Sequence, residues 1–159
     1  MPSRTTAARA RRTLVACLAA ALAPLAACRA PQPAQSAATL RAGEGMLAVP
    51  GGRIWYRVVG TGTGTPLLAI HGGPGGTSCR MREHGRLGDE RPVIFYDLLG
   101  TGRSERAADT TLWTLPRAVE EVEAIRRALG LREVHLLGQS WGSAVALEYA
   151  LTHPNSGVS

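Results

Sequence analysis

The sequence has no lysine, and it has only one phenylalanine and three cysteines. Because lysine is absent, the positive charge of the side chains comes from 18 arginines. Four of these arginines lie within the first 12 residues. After residue 28, 14 arginines face 12 acidic residues, and the arginines are scattered along the chain. A nucleic-acid-binding protein would collect its basic side chains on one face. We therefore expect no nucleic-acid partner.

The three cysteines exclude a disulfide framework. Cys17 lies within an apolar run near the N-terminus, Cys28 ends that run, and Cys79 is alone in the rest of the chain. A disulfide-stabilised scaffold needs an even set of cysteines within the folded part.

The N-terminus has the layout of a secretory signal. Arginines precede an uncharged apolar run over residues 14–27, which is short for a membrane span. The run ends in Leu25-Ala26-Ala27-Cys28, which resembles a bacterial lipobox, in which the cysteine becomes the lipid-modified first residue. We predict a signal over residues 1–27, a lipid anchor at Cys28, and export to the bacterial cell envelope or secretion. Two alternatives stay open: ordinary cleavage nearby with Cys28 incidental, and a twin-arginine signal at Arg11-Arg12.

The rest of the chain divides into a tether and a domain. Residues 28–45 are rich in Ala, Pro and Gln and predict a flexible tether. Residues 46–159 predict an α/β domain that begins with a hairpin over 46–59, turning at Pro50-Gly51-Gly52. Short apolar runs predict buried strands, and helical periods predict the helices between them. The strands are expected at 67–70, 93–96 and 134–137, and the helices at 77–89, 114–129 and 144–151. This alternation favours a mostly parallel sheet covered by helices on both faces.

One stretch combines a strand, a sharp turn and a helix around a serine. Gly138-Gln139-Ser140-Trp141-Gly142 follows the strand at 134–137 and precedes the helix at 144–151. This context is typical of a nucleophile elbow, where a serine hydroxyl is held above the sheet edge and the next residue's N–H serves the oxyanion hole. We predict Ser140 as the nucleophile and the N–H of Trp141 as an oxyanion donor. The alternative is a glycine-rich turn that merely contains Ser140.

Three motifs together resemble one family. They are His71-Gly72-Gly73-Pro74-Gly75, Tyr96-Asp97-x-x-Gly100-x-Gly102-x-Ser104 and Gly138-x-Ser140-Trp141-Gly142-Ser143. In this order and spacing they resemble the N-terminal half of a proline iminopeptidase, a serine aminopeptidase of the α/β-hydrolase fold. Leu98 departs from the family, which commonly has Gln there, and we expect this to alter loop packing more than chemistry.

The resemblance implies an activity and a second oxyanion donor. Such an enzyme releases N-terminal proline or a small residue from peptides through an acyl-enzyme, with the N–H of Gly73 as the second donor. The expected substrate is a peptide or a small ester or amide, and neither a cofactor nor a metal is expected. His71 and Asp97 belong to loop-shaping motifs, so we interpret both as structural rather than as a base and its acid.

The usual partners of the serine are not found after it. In this fold the acid and then the histidine follow the nucleophile. Here Glu148 and His153 are the only such residues after Ser140. Glu148 lies about 12 Å along the predicted helix, and His153 comes before Pro154 at its end. Neither fits the triad.

The sequence therefore predicts a partial α/β-hydrolase domain, with the later strands and the cap missing. We expect an unpaired sheet edge at the 134–137 strand, exposed apolar surface, low stability and no proline release by this chain alone. Two other functions stay open: an esterase of the same fold, and a non-catalytic lipoprotein fragment or binding half.

Overall fold

A computed structural model describes residues 40–107 and 109–159. The predicted signal, the lipid anchor at Cys28 and the tether up to residue 39 lie outside the described residues.

The described part of the chain contains a sheet in which a hairpin precedes parallel strands. The strands are β1 (Gly43–Val49), β2 (Gly52–Val59), β3 (Leu67–Ile70), β4 (Val93–Tyr96) and β5 (His135–Gly138). They lie in the order β1-β2-β4-β3-β5. β1 and β2 are antiparallel, as are β2 and β4, whereas β3 is parallel to both β4 and β5. The predicted fold class, a hairpin followed by a mostly parallel sheet, is confirmed.

The hairpin begins earlier than the sequence predicted. β1 starts at Gly43 rather than Met46, because residues 43–45 continue the antiparallel register and pair with residues 58, 57 and 56 of β2. These three residues have little apolar character, so their place in the sheet depends on backbone hydrogen bonds that no side-chain pattern reveals.

Helices cover both faces of the sheet. The helices α1 (Leu115–Ala128) and α2 (Trp141–Thr152) pack in one core cluster with Leu68 and Ile70. The alternate residues Leu67 and Ala69 pack in a second cluster with Met81. Met81 belongs to a 3₁₀ helix over Ser78–Asp89, and a second, short 3₁₀ helix spans Thr110–Leu112. This two-sided burial explains why β3 reads as a continuous apolar run.

The signals at the ends of α1 act as the sequence predicted. The Thr114 hydroxyl accepts a hydrogen bond from the N–H of Arg117 at 3.4 Å and so caps the first turn. Gly130 has a φ of +64°, a conformation that favours glycine after a helix. The segment before β4, by contrast, is a 3₁₀ helix rather than an α-helix, since few of its residues are apolar and Gly88 packs closely on the backbone of Gly60.

The outer edge of β5 is partly paired, so the prediction of an unpaired edge is wrong for this stretch. Val134 forms a parallel bridge with Val158, and the N–H of Leu136 donates to the carbonyl of Ser159 at 3.2 Å. The expected apolar surface is confirmed on α2, where Leu147 is 63% exposed and Leu151 is 68% exposed. Both side chains are on the same helix face, four residues apart.

No helix within residues 40–107 and 109–159 is long and apolar enough to cross a membrane.

Candidate active site

Ser140 lies at the junction between β5 and α2 in a backbone conformation that serine rarely adopts. Its φ is 53° and its ψ is −117°, and it is the one non-glycine residue with positive φ in the described chain. The helix begins at the next residue, Trp141, and Ser140 is exposed. Such strained backbone is costly and collects at functional sites. The geometry is that of the predicted nucleophile elbow.

Two glycines make this turn possible. A Cβ at Gly138 would overlap the backbone of Gly142, and a Cβ at Gly142 would overlap the carbonyl of Ile70. The start of α2 therefore lies directly against β3 and β5. No residue with a side chain fits at either position without moving backbone.

The loop after β3 passes beside the elbow. A Cβ at Gly72 would lie 3.2 Å from the Cβ of Ser140. A Cβ at Gly73 would lie 3.5 Å from Cδ1 of Trp141, in ordinary contact. The structure thus brings together Ser140, Gly73 and Trp141, the three residues that the sequence assigned to catalysis.

The backbone N–H groups of Gly73 and Trp141 are both free within the described residues, since neither donates a hydrogen bond there. For Trp141 this follows from its position, because the first N–H groups of a helix have no acceptor within the helix. Free N–H groups at a helix N-terminus suit a developing negative charge.

His71 is buried beneath this loop with both ring nitrogens engaged. Its Nδ1 lies 2.8 Å from the carbonyl oxygen of Gly72, and its Nε2 accepts the N–H of Leu98 at 3.1 Å. Nε2 is therefore unprotonated and the proton is on Nδ1, which donates to Gly72. Burial lowers the pKa of His71, which favours this neutral form. The ring joins two loops and has no nitrogen left for Ser140.

Asp97 organises the loop after β4. Its carboxylate accepts the N–H of Ser78 at 2.8 Å and the N–H of Arg103 at 2.9 Å. A Cβ at Gly102 would overlap this carboxylate, so the glycine is needed for the loop to close around Asp97. Ser104 completes the arrangement: its hydroxyl donates to the carbonyl of Asp97 and accepts the N–H of Trp55. These contacts agree with the structural interpretation of the motif.

Glu148 and His153 lie away from the elbow. Glu148 belongs to α2, and His153 follows the end of that helix. The ring of His153 stacks on Tyr149 at 4.4 Å between centroids, and its Nδ1 lies 2.9 Å from the hydroxyl of Thr152. Across residues 40–107 and 109–159, no side chain forms a hydrogen bond with the Ser140 hydroxyl.

A cavity of about 340 Å³ opens beside the elbow, and Gly73 and Trp141 contribute to its wall. Glu121, for which the sequence predicted no role, also lines this cavity although the residue is only 2% exposed. Its Oε2 accepts the N–H of Leu99 at 3.2 Å, and burial raises its pKa to about 7. The available signal was a carboxylate on the apolar stripe of α1, three residues after Ala118 and one before Val122.

Comparisons with known proteins agree with this geometry. The family model described as alpha/beta hydrolase fold matches residues 65–157. Proline iminopeptidase from Heyndrickxia coagulans is 50% identical over 116 residues, which cover 72% of this chain and 40% of the relative. Among solved structures, proline iminopeptidase from Mycobacterium smegmatis superimposes with a TM-score of 0.67 at 32% identity, covering 73% of this chain and 41% of that one.

A structure of the N-acyl homoserine lactonase AidH, complexed with N-butanoyl homoserine, also matches, with a TM-score of 0.65 at 25% identity. That match covers 73% of this chain and 45% of the lactonase. The chain spans about 40% of the length of the curated proline iminopeptidases it matches. By its matched family model, its sheet and its elbow, the chain belongs to the α/β-hydrolase fold family, and within that family it is homologous to the proline iminopeptidases.

Proposed function

We propose that this chain carries the nucleophile of a serine hydrolase of the proline iminopeptidase type, which releases N-terminal proline or another small residue from peptides. The observation that carries the proposal is the backbone of Ser140, with φ 53° and ψ −117° between β5 and α2. An elbow of this kind presents the hydroxyl to a bound carbonyl group. The choice of peptide substrate draws on the proline iminopeptidases, at up to 50% identity.

In the proposed reaction Ser140 Oγ attacks the carbonyl carbon of the N-terminal residue. The hydroxyl proton passes to a base, and the carbonyl oxygen becomes an oxyanion that accepts the N–H groups of Gly73 and Trp141. The oxyanion then re-forms the carbonyl as the peptide bond breaks, and the base returns its proton to the nitrogen of the leaving amine. Water, deprotonated by the same base, hydrolyses the ester and restores the Ser140 hydroxyl. Loss of one oxyanion donor typically lowers turnover by about 10²–10³.

We also propose that the 159-residue chain alone does not release proline. Serine needs a base within hydrogen-bond reach, and the candidates in the described residues lack that position. Both nitrogens of His71 are engaged, and His153 stacks on Tyr149 after the end of α2. Glu148 is eight residues along the chain from Ser140, which corresponds to about 12 Å of helix.

Hydrolysis of prolyl-p-nitroanilide by the purified chain tests both parts. We expect no turnover above background. Turnover that Ser140→Ala abolishes would overturn the proposed inactivity and support the proposed nucleophile. Turnover that is unchanged in Ser140→Ala would show that Ser140 is not the nucleophile of the measured reaction.

A fluorophosphonate probe tests the nucleophile without a peptide substrate. Labelling that is lost in Ser140→Ala and kept in Ser143→Ala would support an activated Ser140. Ser143 is the matched control because its hydroxyl lies in the same elbow but donates to the carbonyl of Gly138 at 2.9 Å. A folded chain that is not labelled would agree with the proposed lack of a base, and the other class of function is a non-catalytic binding half. The exposed Leu147 and Leu151 favour that second class, since they offer apolar surface to another polypeptide.

Ester hydrolysis is a second candidate within the same chemistry. The match to the N-acyl homoserine lactonase, with a TM-score of 0.65, favours it because a lactone is an ester. A panel that pairs p-nitrophenyl acetate with prolyl-p-nitroanilide separates the two. Hydrolysis of the ester alone, lost in Ser140→Ala, would favour the esterase.

We further propose that the chain is held at a bacterial envelope membrane by a lipid on Cys28. The sequence Leu25-Ala26-Ala27-Cys28 supports this, since the cysteine stands at the end of the apolar run. Metabolic labelling with an alkyne fatty acid should mark the expressed protein and should fail for Cys28→Ser. Equal labelling of the variant, or a secreted product whose cleavage does not depend on Cys28, would contradict the anchor.

A further inference from the structure

The cavity beside the elbow has the size and lining of a small-molecule site. Its volume is about 340 Å³, within the range of ligand pockets in proteins. Most of its wall is apolar. The apolar lining residues include Pro74, Leu98, Leu99, Leu112, Trp113 and Trp141. A ligand that fills this space must have an apolar body.

One acidic group interrupts this apolar wall. The carboxylate of Glu121 accepts a single hydrogen bond, from the N–H of Leu99 at 3.2 Å, whereas an ionised carboxylate has about four acceptor sites. The nearest cation is Arg117, whose terminal nitrogen forms a loose buried ion pair with Glu121 Oε1 at 3.9 Å but lies beyond hydrogen-bond distance of it. Glu121 is thus a buried carboxylate with unused acceptor capacity at a cavity wall.

The surrounding charges leave this carboxylate incompletely compensated. The guanidinium of Arg117 donates to the carbonyl of Pro50 at 2.6 Å and to the carboxylate of Glu120 at 3.3 Å. The single positive charge of Arg117 is therefore shared between the carboxylates of Glu120 and Glu121. Of these two carboxylates, only the exposed Glu120 accepts a hydrogen bond from the guanidinium. When Glu121 is ionised, the net charge over Arg117, Glu120 and Glu121 is −1.

The other titratable groups nearby do not supply the missing positive charge. His71 also lines the cavity, but its hydrogen bonds and burial keep it neutral. The phenol of Tyr96 is fully buried and has no hydrogen-bond partner within the described residues, and burial raises its pKa well above the usual value. Asp97 is an acid and so cannot supply a positive charge, and its carboxylate already accepts two backbone N–H groups.

We propose that this cavity binds small molecules that join an apolar body to an ammonium group, and that Glu121 selects the ammonium. The ammonium supplies the missing cation and donates hydrogen bonds to the unused acceptor sites, while the apolar body fills the remaining space. If the bound molecules are substrates, the proposal rests on the proposed function, because Gly73 and Trp141 line the same cavity. The binding of ammonium compounds by itself does not depend on that function.

Ligand binding to the full chain, measured without any turnover, tests the proposal. Benzylamine and benzyl alcohol have the same apolar body and differ in the ammonium. Quenching of tryptophan fluorescence reports occupancy, since Trp113 and Trp141 line the cavity. At about pH 8.5 Glu121 is ionised, and we expect benzylamine to bind at least about tenfold more tightly than benzyl alcohol.

Two variants test whether Glu121 causes the preference for benzylamine over benzyl alcohol. Glu121→Gln should reduce it to less than about twofold, since a neutral amide keeps an acceptor for Leu99 but loses the charge. Glu120→Gln is the matched control, because that carboxylate lies outside the cavity lining, and it should retain the preference. Should Glu121→Gln fail to fold, the parent chain still provides a test: at about pH 5.5 the protonated Glu121 should no longer favour benzylamine.

Equal affinities of the parent chain for the two ligands at about pH 8.5 would overturn the proposal. A preference that persists in folded Glu121→Gln, or one that is lost in Glu120→Gln instead, would overturn the role of Glu121. None of these results depends on hydrolysis, so the proposed function and the proposed binding site can fail separately.

Discussion

The backbone N–H of Leu98 donates to Nε2 of His71 across 3.1 Å, and this hydrogen bond joins the loop after β3 to the loop after β4. The first of these loops contains Gly73, a proposed oxyanion donor, and the second lines the cavity. His71, the first residue of the His-Gly-Gly-Pro-Gly motif, therefore holds the two loops together through its buried ring.

Replacing His71 should destabilise the fold. In His71→Ala the buried N–H of Leu98 loses its acceptor and the space of a fully buried ring is left empty, so we expect a loss of about 1–3 kcal/mol or more in the free energy of unfolding. Urea denaturation followed by circular dichroism measures it. His84→Ala is the control, since that ring makes one local contact with the carbonyl of Met81 and should cost less. Similar losses in the two variants would contradict this role.

The strain at Ser140 should appear as a difference between two variants. Glycine adopts a φ of 53° without the steric cost that alanine shares with serine, so Ser140→Gly should be more stable than Ser140→Ala by about 1 kcal/mol. Both variants lack the hydroxyl, so catalysis does not enter the comparison. The midpoints of urea unfolding measure the difference. An alanine variant at least as stable as the glycine variant would show that the elbow is relaxed.

The close approach of α2 to β3 should make Gly142 intolerant of any side chain. A Cβ there would overlap the carbonyl of Ile70, so Gly142→Ala should unfold or lose more than about 4 kcal/mol. In the control Gly85→Ala, the new Cβ would lie 3.7 Å from Val59, an ordinary contact. We expect that variant to stay within about 1 kcal/mol of the parent, measured by thermal unfolding. A stable Gly142→Ala variant would mean that the helix start lies further from β3.

The raised pKa of Glu121 predicts a pH dependence of stability. Because the folded pKa is about 7 and the usual value is 4.5, the folded state binds more protons than the unfolded state between these two values. The free energy of unfolding contributed by this group therefore falls as pH rises through that window, by about 3 kcal/mol in all.

Glu121→Gln should remove this contribution. As pH rises from about 4.5 to 7, the unfolding free energy of the variant should therefore increase relative to that of the parent. His71 acts in the opposite direction, since burial lowers its pKa, but it is present in both proteins and cancels in the difference. Glu120→Gln serves as the control and should give a flatter difference. A pH-independent difference for Glu121→Gln would contradict the raised pKa.

Much of the site could be predicted because its parts are local in sequence. The elbow needs a strand, Gly-x-Ser-x-Gly and a helix in immediate succession, and each leaves its own pattern of residues. The strands β3 and β4 begin and end at the predicted residues, since both are buried on two faces. The edges were less predictable: the start of β1 and the pairing of Val134 with Val158 depend on backbone hydrogen bonds, which side-chain patterns do not encode.

The sequence by itself determined the fold class and the position of the sharp turn at Ser140, because both follow from short-range patterns of apolar residues and glycines. Only the tertiary structure decided what surrounds that serine. It engaged both nitrogens of His71 and set Gly73 against Trp141. It also brought Glu121 of α1, which is 19 residues before Ser140 in the chain, to the wall of the cavity. The physical reason is that hydrogen bonds, desolvation and charge balance depend on distances in space between loops and helices that are far apart in sequence.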